Sequence, residues 1–152
     1  YQPGACATVG LIEVSPNSRN VIPGQAFITT DLRHPDDKIL LQMDQDMKNF
    51  CQQLQNENNI KIEIEDLWFS PPIQFDKNCI TLVESGAKFH DYPFCNMVSG
   101  AGHDAVYLSR IAPTGMIFIP CENGISHNEI ENASSADCAA GTNVLLHSIL
   151  NT

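Results

Sequence analysis

QAFITTDLRHPDDKILLQM, residues 25–43, changes its period halfway along. Up to Arg33 the residues alternate. Ala26, Ile28, Thr30 and Leu32 point one way; Phe27, Thr29, Asp31 and Arg33 point the other, as on a β-strand. From Asp36 to about Asn56, Ile39, Leu40, Met43, Met47, Phe50, Cys51 and Leu54 recur at three- and four-residue steps, the stripe of an amphipathic helix. His34-Pro35-Asp36-Asp37 stands between the two, with a proline and two acids suited to the exposed N–H groups of a helix start. The asparagines of NENN end the helix. Upstream, ATVGLIEVSP (7–16) alternates and stops at Pro16-Asn17-Ser18, so the two runs predict an antiparallel hairpin with a long connection. Downstream, IKIEIEDLWF (60–69) alternates strictly and predicts a third strand. Strand, strand, helix, strand is the order of a small α+β unit with a helix on one face of an antiparallel sheet.

Ser70-Pro71-Pro72 marks a boundary and divides the chain into 1–71 and 72–152. Beyond it, Lys77–His90 has helical spacing, and SGAGHDA (99–105) is a Gly-rich loop feeding a short helix over Ala105–Ile111. TGMIFIP (114–120) has the continuous apolar character of a strand buried on both faces. GISHNEIENAS is a loop. A final helix starts at Ser134 or Ser135 and runs to about Leu150. Alternating helices and buried strands give this half an α/β pattern.

Composition narrows the function. The 152 residues are 43% apolar and 17% charged, the balance of a globular protein. No apolar run approaches the ~20 residues of a membrane span. The net charge of -10, from 18 acids against 8 Lys and Arg, repels phosphate backbones, which argues against a nucleic-acid partner. The N-terminus YQPGACATVG has neither a basic n-region nor an initiator Met; no signal peptide is expected, and the sequence reads as beginning partway through a longer protein. The six cysteines, Cys6, Cys51, Cys79, Cys95, Cys121 and Cys138, are irregularly spaced and form no CxxC, so reduced thiols in a cytosolic protein are expected.

Four positions could carry chemistry. His127, in GISHNEIE (124–131), follows a buried strand and precedes acids, and loops at the C-terminal edge of an α/β sheet are where ligands bind. Its imidazole could hold Zn²⁺, Co²⁺ or Mn²⁺, or merely cap a carbonyl. His103 follows Gly100 and Gly102 at a helix start, where backbone can approach a ligand closely; alternatively Gly-x-Gly is a tight turn and His103-Asp104 merely cap the helix. Arg33 could clamp a carboxylate through two parallel hydrogen bonds, or simply pair with Asp31 on its own strand face. Asn20 reads locally as a turn residue. No Cys stands beside a His and no G-x-S-x-G occurs, which disfavours cysteine and serine nucleophiles.

Together, SPNSRNVIPG, FITTDLRHPDD, SGAGHDA and TGMIFIPCENGISHNEIE, in this order and spacing, resemble the M20-type metallo-amidohydrolases. Within them the likeness is to the N-carbamoyl-L-amino acid hydrolase, β-ureidopropionase and allantoate amidohydrolase branch. The resemblance implies the C-terminal part of an α/β catalytic domain preceded by part of an α+β dimerisation (lid) domain. It implies a cytoplasmic homodimer joined through the lid and a small-molecule carboxylate substrate. It also implies two divalent metals (Zn²⁺, Mn²⁺, Co²⁺ or Ni²⁺) with a bridging carboxylate and a water that a glutamate base activates. His127 would be a metal ligand. Asn20 and Arg33 would hold the substrate carboxylate, with Asp31 orienting Arg33. His103 would contact substrate and stabilise the oxyanion, with help from the Gly102 backbone. Where the family pattern has Ser-His-Asn-Pro-x-Glu, Glu129 replaces the proline and Glu131 is retained. The family's other ligands and its base have no counterpart here, so the isolated chain is expected to bind no metal and to be inactive. The alternatives are an M20 dipeptidase or aminoacylase, which the Ser-Gly-Ala-Gly-His loop opposes, and a non-catalytic dimerisation module.

Overall fold

A computed structural model describes all 152 residues. They gather into two compact units, Tyr1–Ile73 and Gln74–Thr152.

The first unit is built on the alternating runs. Strand β1 (Cys6–Ser15) pairs antiparallel with β2 (Gln25–Arg33). The Gly24 N–H donates to the Ser15 carbonyl at 2.9 Å and closes the nine-residue connection between them. A bulge at Gly10 separates the Val9↔Thr30 and Leu11↔Thr29 pairs, so the side-chain alternation of β1 shifts there. Helix α1 (Asp37–Asn58) follows. Asp36 caps it by accepting from the Lys38 and Ile39 N–H groups at 2.9 and 3.1 Å. Asn59 ends it in the left-handed region at φ 53°. Leu40 and Met43 are its buried residues. Met47 takes the Thr30 hydroxyl on its sulfur at 3.5 Å, which places α1 against the Thr30 face of β2. By alternation, Asp31 and Arg33 stand on the opposite face. His34, which sequence patterning does not single out, is buried: its Nδ1 accepts from the Asp36 N–H at 2.9 Å, which leaves Nε2–H to donate to the Tyr1 carbonyl at 3.1 Å.

Residues 60–69 do not form the expected third strand. They have no ladder partner, and the sheet of this unit has two strands. The alternation is compatible with a pleat, but a strand exists only where a neighbour takes its backbone N–H and C=O groups. The segment is tethered instead by side chains. The Ile62 N–H donates to Gln55 at 2.7 Å, and Asp66 accepts from Lys48 at 2.9 Å. Leu67, Trp68 and Phe69 remain exposed.

The second unit packs helix α2 (Lys77–Phe89) on helix α4 (Ser135–Leu150), with the short α3 (Asp104–Leu108) in the loop region between them in sequence. Asp76 caps α2, and Ser134 caps α4 through the Asp137 N–H. The two helices come close at Gly86, where a Cβ would lie 3.1 Å from the Val144 carbonyl oxygen and 3.3 Å from Val144 Cγ1. Ala87 and Val144, both 5% exposed, form the core of this contact. The expected strand at 114–120 also lacks a ladder partner. It runs as an extended segment against the helices, Gly115 over Cys79 and Ile119 against Gly141. With Leu82, Val83, Leu145 and Ile149 its isoleucines line an open apolar groove. The expectation of burial on both faces fails for the same reason as at 60–69: Phe118 is 46% exposed, with no strand beside it. All six cysteines are free thiols. No helix is long and apolar enough to cross a membrane.

Candidate functional site

In the first unit, β2 presents Arg33 and Asp31 two residues apart on one face. Arg33 Nε donates to Asp31 Oδ1 at 2.6 Å and Nη2 to Oδ2 at 3.2 Å, a forked carboxylate–guanidinium pair. The hydrogen bond and charge of Asp31 raise the pKa of Arg33 above its ordinary value. Both side chains are about half exposed, 51% and 49%. Asn20 lies in the β1–β2 connection, where its Oδ1 accepts from the Ser18 hydroxyl at 2.8 Å.

In the second unit, His103 occupies the N-cap position of α3, yet its side chain makes no capping bond. The ring is turned elsewhere. Nε2 lies 2.7 Å from Ser99 Oγ, and the ring packs edge-on against Phe118 with centroids 5.4 Å apart. Ser99 Oγ in turn accepts from the Ala101 N–H at 3.2 Å. The intervening glycines are not explained by backbone strain: neither Gly100 nor Gly102 has a positive φ, and a Cβ on either would meet nothing within 4 Å. Open space therefore lies beside this stretch of backbone.

His127 is exposed and sits in the left-handed region at φ 57°, a conformation that costs a non-glycine residue about 1–2 kcal/mol. Glu131 holds it there, accepting from the His127 N–H on Oε2 at 2.9 Å. Around it the loop is self-bonded: Glu122 N–H to the Asn132 carbonyl at 2.7 Å, Asn132 to the Glu122 carboxylate at 2.9 Å, and Glu131 N–H to the Asn128 carbonyl at 2.9 Å. No hydrogen bond joins His103 to His127. Nowhere do three or more His, Cys, Asp or Glu side chains gather as a metal-holding group. The side chains of this chain do not by themselves fit a two-metal centre.

Two contributors escape a reading of the sequence, Ser99 and Phe118. The i, i+4 spacing of Ser99 and His103 around two glycines was a usable signal for the first. Nothing local marks Phe118, which comes from a distant segment.

The profile of peptidase family M20/M25/M40 matches residues 2–151. The chain is 40% identical over 155 residues to an N-carbamoyl-L-amino-acid amidohydrolase of Rhizobium meliloti, which covers 99% of this chain and 36% of that protein. It is 37% identical over 139 residues to the allantoate amidohydrolase of Escherichia coli K12, covering 91% of this chain and 34% of that protein. A crystal structure of a hydantoinase/carbamoylase family amidase from Burkholderia multivorans superimposes with a TM-score of 0.95 at 46% identity, over 99% of this chain and 37% of that one. The chain spans about a third of the length of these relatives. With the family profile running over nearly every residue, through both units, the chain belongs to peptidase family M20/M25/M40.

Proposed function

We propose that this chain is the C-terminal portion of an amidohydrolase that cleaves the ureido or carbamoyl C–N bond of N-carbamoyl-L-amino acids or of allantoate. The observation that carries the proposal is the similarity to two such hydrolases along almost the whole chain. In this reading the first unit is part of a lid domain through which a cytoplasmic enzyme forms a homodimer. The second unit is part of an α/β metallopeptidase-like catalytic domain.

Each residue then has a chemical task. Arg33, oriented by Asp31, grips the substrate carboxylate with a charge-assisted pair, and Asn20 adds an amide donor. His103 and the Gly102 N–H donate to the carbonyl oxygen as it gains charge; one such donor is worth about 10²–10³ in rate. The open space beside Gly100 and Gly102 supports close approach of a ligand to that backbone. His127 is the one metal donor this chain would contribute, held by Glu131 in a conformation that it would not adopt unaided. The remaining donors and the general base would lie in other parts of the enzyme.

The test is hydrolysis by the full-length enzyme, offered N-carbamoyl-L-amino acids, allantoate, an N-acetyl amino acid and a dipeptide, read as ammonia release for the first two and as the amino acid set free for the last two. Turnover of the first two alone is expected. Hydrolysis confined to the acetyl or dipeptide substrates would overturn the assignment. Arg33→Ala should raise KM for carboxylate substrates by at least about 100-fold, the loss of a forked pair whose two charged bonds are each worth roughly 1.5–3 kcal/mol.

A further inference from the structure

His103 stands where a capping side chain is expected, and it caps nothing. Its imidazole instead meets Ser99 Oγ at 2.7 Å through Nε2. That distance is short for an N–H···O contact, which clusters near about 2.9–3.0 Å, and suits a hydroxyl donor. Ser99 also accepts the Ala101 N–H at 3.2 Å; with one lone pair so taken, the hydroxyl keeps one proton to donate. A serine has one such proton, and Nε2 is the acceptor within reach. The Phe118 ring, edge-on at 5.4 Å between centroids, limits rotation of the imidazole. If Nε2 accepts, the ring proton of the neutral imidazole is on Nδ1, which faces no hydrogen-bond partner within this chain.

We infer that Ser99 is a positioning residue: by donating to Nε2 it holds His103 in the Nδ1–H tautomer and presents Nδ1–H as the donor for the substrate oxygen. The inference rests on the role proposed above for His103, but its first consequence, the tautomer, does not.

The experiment has two arms. In the first, the full-length enzyme labelled with ¹⁵N-histidine is examined by two-bond ¹H–¹⁵N correlation. The wild type should show the Nδ1–H tautomer at His103. Ser99→Ala should move it towards Nε2–H, the form free histidine prefers, and Ser99→Thr, which keeps the hydroxyl, should retain the wild-type pattern. Nε2–H in the wild type, or no change in Ser99→Ala, would overturn the inference whatever the enzyme's activity. In the second arm, Ser99→Ala in the full-length enzyme should lower kcat by about 10–100-fold, the usual cost of losing a group that orients an active-site histidine. KM should stay within about twofold and Ser99→Thr should recover most of the loss. An unchanged kcat in Ser99→Ala would refute the positioning role. An enzyme that turned over no ureido substrate would refute the proposed function instead, leaving the tautomer to decide the role of Ser99.

Discussion

Replacing Asp31 with alanine separates stability from function at the candidate carboxylate clamp. The pair it breaks is short and forked, 2.6 and 3.2 Å, but each partner is about half exposed. Exposed ion pairs contribute about 0.2–1 kcal/mol. For a chain of this size 1 kcal/mol moves the melting temperature by about 2–4 °C. Asp31→Ala should therefore lower Tm by no more than about 3 °C. The effect on substrate binding has two opposing parts. Without Asp31 the Arg33 side chain regains rotamer freedom, about 2 kcal/mol at the outside, which must be lost again on binding. Against that, a substrate carboxylate on the same guanidinium would stand roughly 6 Å from Asp31, and relief of that repulsion in high dielectric returns about 0.7 kcal/mol. The ordering cost is the larger. KM for an N-carbamoyl amino acid should rise about five- to tenfold, with kcat unchanged, in ammonia-release assays of the full-length enzyme beside melting curves of the same variant. A KM that stayed the same or fell would show that Asp31 competes with the substrate for Arg33, and the orienting role would be wrong.

Three further outcomes follow from the second unit. Gly86→Ala gains about 1 kcal/mol of helix propensity, but its Cβ meets the Val144 carbonyl at 3.1 Å and His147 Cδ2 at 3.3 Å; forced separation of packed helices costs about 1–3 kcal/mol, so urea denaturation should show a net loss of about 1 kcal/mol, and a more stable variant would contradict the close α2–α4 contact. Cys79 has its thiol pKa pushed up, by burial first and by Asp76 second, so at pH 8 iodoacetamide should label it more slowly than the exposed Cys95, as peptide mapping by mass spectrometry would read. The Glu84 carboxyl has its pKa lowered, first by the hydrogen bond from Asn96 at 2.7 Å and then by Lys88. A carboxylate depressed in the folded state contributes stability above its ordinary value of 4.5 and loses it as pH falls through the folded value. Asn96→Ala should accordingly lower stability at pH 7 and flatten its fall below about pH 4.5, so that variant and wild type converge at low pH in acid titrations followed by circular dichroism.

Where an element closes its own hydrogen bonds, local pattern was enough. The stripe from Ile39 to Leu54 and the acids at Asp36-Asp37 mark α1 and its cap, and Ser134 marks the start of α4. The hairpin was equally legible, because β1 and β2 are each other's partners. Residues 60–69 and 114–120 carry strand patterns as strong as those of β1 and β2, yet neither is a strand here. Alternation and apolar runs report which faces a segment can bury, whereas a ladder depends on a neighbour that no local pattern encodes.

The same distinction separates the candidate site residues. Arg33 and Asp31 were legible as a pair because strand geometry alone puts i and i+2 on one face. His127 was legible as a candidate ligand, but its left-handed backbone and the anchoring of that backbone by Glu131 were not, since both depend on how the loop bonds to itself. His103 is the sharper case. Its position at a helix start invited a capping role, and the ring is instead held between a serine four residues back and a phenylalanine fifteen residues on. A histidine relieved of capping, with one nitrogen bonded and the other open, is arranged to donate rather than to support the helix, and Ser99 is the residue that determines which nitrogen does so.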